Sequence, residues 1–139
     1  MKKSAALILV FVIVLNVFPQ IAFAETKSNA YITACGASIS KPSSNTVRID
    51  FNVAATDDMS CLGASTVILY KDGSPVKTFS RYDSRYTAYM VTTNSDIFYG
   101  HLSYSNASAG TYYAVVYFFA TNETGTGYAS YITSSITIP

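Results

Sequence analysis

Val47, Ile49, Phe51 and Val53 alternate with Arg48, Asp50 and Asn52. Side chains two apart on an extended strand share a face, so this segment carries one dry face and one wet face. No later segment shows a 3.6-residue apolar period with helix caps. A chain patterned this way buries its apolar faces by stacking antiparallel strands, not by bundling helices.

The remaining strands are read from the same signal. Tyr31–Ile39 is the first, and Val67–Tyr70 is a buried strand. Asp72-Gly73 marks a tight hairpin turn, from which Val76–Ser80 returns. Tyr86–Val91 and Tyr99–Tyr104 read as shorter strands. Tyr112–Ala120 is apolar on both faces, as a central strand is, and Tyr128–Ile138 alternates again to the end. Turns are expected at 41–45, 56–60, 72–74, 93–96, 105–110 and 122–127, where small and polar residues cluster. About seven short strands with such punctuation predict an all-β fold, an antiparallel β-sandwich.

The N-terminus reads differently. Lys2 and Lys3 precede the apolar run Ala5–Leu15, and Ala22-Phe23-Ala24 forms an A-x-A cleavage site before Glu25. That is the three-part pattern of a secretory signal peptide. The uncharged stretch is also long enough for a membrane anchor, but Pro19 and the A-x-A triplet favour cleavage. The expected organisation is a signal peptide over 1–24, a flexible lead-in over 25–30 and one domain over 31–139, secreted and extracellular, in a bacterium by the style of the leader. Loss of Lys2 and Lys3 leaves seven of the nine basic residues against eight acidic ones, a net charge of −1. Charged residues are 12% of the chain, against about 25% in an average soluble protein. No basic field is present to draw the domain to nucleic acid or to an anionic membrane.

Cys35 and Cys61 admit one intramolecular pairing, and an exported protein can hold a disulfide. Such a bridge is the expectation here. Two thiols or a metal pair are the alternatives, the latter a poor zinc site with a single distant histidine.

Ala109-Gly110-Thr111-Tyr112-Tyr113-Ala114 resembles the G-x-Y-x-C stretch that opens strand F of immunoglobulin-like domains. The resemblance implies an immunoglobulin-like or fibronectin-type sandwich in which Tyr112 forms a tyrosine corner, its hydroxyl bonded back to the upstream backbone. Ala114 stands where that family's second cysteine would be, and the chain has no tryptophan. The layout also looks like that of short secreted proteins of Gram-positive bacteria.

Chemistry is sparse. His101 is the single histidine, and no G-x-S-x-G elbow places a serine beside it. The bland reading is a surface histidine on a half-exposed strand. Asp57 and Asp58 are adjacent in an expected turn and lack the D-x-D-x-D-G spacing of a calcium loop. No catalytic residue, metal ligand or cofactor is assigned, and the chain is not expected to be an enzyme. Asn106-Ala107-Ser108 and Asn122-Glu123-Thr124 match the glycosylation sequon, of consequence only in a eukaryote.

The tyrosines carry the functional hint. Tyr82, Tyr86, Tyr89, Tyr99 and Tyr104 fall near Arg81, Arg85 and His101. Exposed together, they would form a recognition face for a glycan or protein, because the ring stacks and the hydroxyl bonds. The competing reading is structural, since strands favour tyrosine. Tyr113, Tyr117 and Phe119 share the outer face of their strand, which implies a partner or self-association surface if uncovered. The expected function is a secreted, non-catalytic recognition module for a cell-wall glycan or surface protein outside the cell. The alternative is a diffusible effector: a small toxin, bacteriocin or enzyme inhibitor.

Overall fold

The computed structural model describes residues 31–139. The expected signal peptide (1–24) and lead-in (25–30) lie outside the described residues. Seven strands follow: β1 Ile32–Ser43, β2 Thr46–Lys71, β3 Ser74–Ser80, β4 Val91–Tyr104, β5 Gly110–Asn122, β6 Gly125–Ile132 and β7 Ile136–Ile138. A single helical turn, α1 (Thr87–Met90), precedes β4. Every pairing is antiparallel, and all seven strands belong to one sheet.

β2 is the axis of the sheet. Along one edge it pairs with β1 over Thr46–Ala55 and then with β5 over Cys61–Lys71. Along the other it pairs with β4 and then with β3. The turn expected at 56–60 is absent, because β2 runs straight through it. The polar Thr56-Asp57-Asp58 marks a place where the strand leaves its partner, not where the chain reverses. Register with β4 jumps there from Ala54↔Ile97 to Met59↔Ser95. The turn expected at 93–96 likewise lies inside β4, where Asn94 takes a positive φ of 51°. Such unequal pairing bends a ladder and raises its twist. The sheet curls so far that Phe51, on the first half of β2, meets Phe118 of β5 edge-on at 6.3 Å.

The inner face fills with apolar side chains. Val47, Ile49, Phe51 and Val53 are all buried, as are Val67, Leu69, Ala114, Val116 and Phe118. Asp72 and Gly73 both have positive φ, the conformation of a two-residue type I′ hairpin. The Asp72 carboxylate then accepts the Thr111 backbone N–H at 2.9 Å, pinning the hairpin tip to the start of β5.

Two expected strands take other forms. Tyr86–Val91 is a turn followed by α1. The Asp83 carbonyl accepts the backbone N–H of Tyr86 and of Thr87, and the Thr87 hydroxyl donates to the Arg81 carbonyl at 2.7 Å. These local bonds outweigh the β propensity of the tyrosines. Tyr128–Ile138 is split into β6 and β7 by Thr133. Its buried hydroxyl accepts the Ala114 N–H at 2.9 Å and donates to the Ser134 carbonyl, filling the ladder where the strand breaks.

The expected Cys35–Cys61 disulfide is absent. Register explains it. Cys35 lies across from Val53, and Cys61 lies between Thr93 and Thr121. Roughly 26 Å of strand path separates Val53 from Cys61 at about 3.3 Å per residue, whereas a bridge needs Cα atoms within about 7 Å.

Candidate functional site

β4 is where the sheet presents chemistry to solvent. Its Gly100 and Leu102 are buried, so Tyr99, His101 and Ser103 point outward by alternation. Across the ladder these face Asn52, Asp50 and Arg48. Arg48 donates from Nε and Nη2 to Asp50 at 3.0–3.1 Å. The carboxylate opposite His101 is therefore already held.

The segment 81–90 runs beside this strand. Gly100 is what lets it come close: a Cβ there would fall 2.5 Å from the Tyr89 carbonyl oxygen and 2.4 Å from the Phe51 ring. Tyr89 sets its ring edge against His101 at 5.3 Å and stays 49% exposed. Arg85, Tyr86, Tyr89, His101, Leu102 and Ser103 line an open groove of about 270 Å³. Tyr86 is half-buried, perpendicular to Phe79 at 4.9 Å, with Lys77 and Arg85 over its ring at 5.4 and 5.2 Å.

The five tyrosines divide accordingly. Tyr86 and Tyr89 line the groove, and Tyr99, 71% exposed, stands two residues along the same face of β4 from His101. Tyr82 is exposed but occupied elsewhere. Arg81 donates to its hydroxyl at 2.7 Å, and the same guanidinium stacks 3.8 Å from the Phe119 ring. Arg81 Nε is buried there without an acceptor. Tyr104 packs against the core. Tyr112 is 1% exposed and donates its hydroxyl to the Ser108 carbonyl, four residues upstream, at 2.7 Å. Asp57 and Asp58 are exposed on β2, and among the described residues no three His, Cys, Asp or Glu side chains gather as a metal set.

Sequence reading missed the ion pair that shapes the segment. Arg85 donates to Asp83 from Nε and Nη2, the latter at 2.6 Å, and also from its backbone N–H. These bonds, the side-chain ones foremost, lower the Asp83 carboxyl from 3.8 to about 2. A depressed carboxyl stabilises the fold at pH values above its unfolded pKa near 4, and that contribution disappears as pH falls through about 2. The stability difference between the protein and Asp83→Asn is therefore expected to be constant above about pH 4. It should shrink toward zero between about pH 4 and 2 in urea titrations at stepped pH; a difference independent of pH would contradict the ion pair.

No protein-family model matches the sequence, and no curated protein matches it. A solution NMR structure of a CARDB domain from Pyrococcus furiosus is similar at a TM-score of 0.35 and 12% identity, over 72% of this chain and 92% of that one.

Proposed function

We propose that this chain is a secreted, non-catalytic recognition module on an immunoglobulin-like sandwich, binding a cell-wall glycan or surface protein. The observation that carries the reading is an open groove beside β4 lined by Tyr86, Tyr89 and His101, with Tyr99 exposed two residues from His101 on the same strand face. A tyrosine ring offers a flat apolar face to a sugar or side chain, and its hydroxyl a hydrogen bond at the rim. The groove is open and smaller than the roughly 300–1,000 Å³ of pockets that engulf small molecules. It suits contact along an extended ligand. Supporting the sandwich are the Phe51–Phe118 contact across the curl and the return of the Tyr112 hydroxyl to Ser108. Supporting export is the leader pattern from Lys2 to Ala24.

The test is co-sedimentation. Processed protein is mixed with washed cells and cell walls and spun down. Retention is expected, with Tyr99→Ala and Tyr89→Ala each weakening it about tenfold, or about 1.4 kcal/mol, without lowering the melting temperature. Protein that stays in the supernatant throughout sinks the module and favours a diffusible effector. Parallel loss of binding and stability returns these rings to a structural role.

A further inference from the structure

The net charge of −1 expected for residues 25–139 conceals a segregation. Three of the seven basic residues, Lys77, Arg81 and Arg85, fall within nine residues, against one acid, Asp83. The other four are outnumbered by seven acids elsewhere in the domain. Every cation–ring contact among the described residues is made by these three side chains. Arg81 lies against Tyr82 and Phe119, outside the groove lining. Lys77 and Arg85 both close on Tyr86, which lines the β4 groove. Lys77 makes no ion pair among the described residues. Arg85 engages Asp83 through Nε and Nη2, and its Nη1 has no partner among the described residues. The carboxylate facing His101, Asp50, is held by Arg48. The Tyr86 end of the groove therefore carries two cations to one carboxylate, and aromatic rings hold the cation left over.

We infer that the groove takes an acidic glycan, its sugar rings against Tyr86 and Tyr89 and its carboxylate or phosphate groups at Lys77 and Arg85. This rests on the reading of the groove as a recognition site and names the class of its ligand. A cationic ligand would be repelled at that end, and a neutral one would leave the surplus cation without a counter-charge. An anion there gains charge-assisted hydrogen bonds from Lys77 Nζ and Arg85 Nη1, stronger than bonds between neutral groups. A cleft with one sign of charge in excess also gathers such ligands from solution, an effect that salt screens. A glycan fits better than an acidic peptide. Peptides are held by strand addition or by pockets for alternate side chains. Of the six lining residues only Leu102 is aliphatic, and it is buried. Rings, an imidazole and a serine hydroxyl line the rest, with Arg85. These match a ligand of repeating rings and hydroxyls.

The test titrates the processed protein with two polysaccharides of one backbone, polygalacturonate and its methyl ester, by calorimetry. The acid should bind about tenfold more tightly than the ester, and the difference should vanish between about 50 and 500 mM NaCl. Lys77→Gln should weaken binding of the acid about fivefold, leaving the ester and the melting temperature unchanged. Lys41→Gln removes the same charge from an exposed position on β1 and should change nothing. The salt and ester comparisons need no variant, so they stand even if Lys77→Gln disturbs the fold. Poly(glycerol phosphate) in the same titration separates the sources of charge: binding tighter than that of polygalacturonate assigns phosphate, weaker binding carboxylate. Ester bound as well as acid overturns the inference and leaves the groove a site for neutral glycans. Poly-glutamate bound as tightly as the acidic polysaccharides overturns it in favour of a peptide. Equal losses in Lys77→Gln and Lys41→Gln overturn it by moving the charge off the groove. Retention on cell walls with neither acidic polymer bound overturns it while the recognition module stands; loss of wall retention as well removes both.

Discussion

Gly63→Ala is expected to destabilise the fold by about 3–5 kcal/mol, combining an overpacking cost with backbone strain. Gly63 lies in β2, paired with Val91 on one side and Phe119 on the other. A Cβ at this position would fall 2.1 Å from the Met90 carbonyl oxygen and 2.7 Å from the Val91 Cα. Both obstacles are backbone, so no side chain can swing aside. The φ of +154° adds to the cost for any residue with a Cβ. Relief requires the start of β4 to move away from β2, carrying α1 and Tyr89 with it. The groove should therefore loosen together with the fold. Gly73→Ala is the control: its φ is +84° but no atom lies within 4 Å of the added Cβ, so about 1–2 kcal/mol of conformational cost is expected. Urea denaturation gives both values from the shift in midpoint at constant slope. A Gly63→Ala loss no larger than that of Gly73→Ala would mean that the β2–β4 approach is not tight.

Period two made the all-β class and the Asp72-Gly73 hairpin legible, because alternation and left-handed turn residues are local properties. What the chain does between alternating segments was not local. Thr56-Asp57-Asp58 has turn composition, yet the strand continues because Met59 and Leu62 must reach the core again. The Tyr86–Val91 segment has strand composition, yet the Asp83 carbonyl and the Thr87 hydroxyl wind it into a turn. Thr133 splits the last strand through one buried hydroxyl that no alternation records. The pairing of Cys35 with Cys61 rested on their being two in number, and strand register decides against it. The tyrosines show the limit most clearly. Tyr99 and Tyr104 lie on one strand, five residues apart and hence on opposite faces, one exposed and one against the core. Parity could have separated these two. It had no purchase on Tyr82, Tyr86 and Tyr89, which sit where neither a strand nor a long helix sets a period.

Tyr112→Ala should cost about 4–5 kcal/mol, the range for truncating a buried aromatic together with an abandoned hydrogen bond. Tyr112→Phe should cost about 1–2 kcal/mol, since only the hydroxyl is lost and the Ser108 carbonyl keeps partial access to water. The pair of variants separates two roles of one side chain. The ring fills core space at the start of β5, where Gly110–Tyr112 pairs with Thr137-centred β7. The hydroxyl closes the loop 105–109 back onto that strand at 2.7 Å. That loop is otherwise held at two points: the Ala107 N–H donates to the Asn45 carbonyl, and Lys71 Nζ donates to Ser108 Oγ at 2.7 Å. Losing the hydroxyl should therefore loosen a connection that also steadies the β1–β2 turn through Asn45, raising amide exchange at Ala107 more than in the centre of β5. If Tyr112→Phe unfolds at the same urea concentration as the parent, with exchange at Ala107 unchanged, the hydroxyl contributes nothing net. The corner is then a consequence of the packed ring and not a cause of the fold.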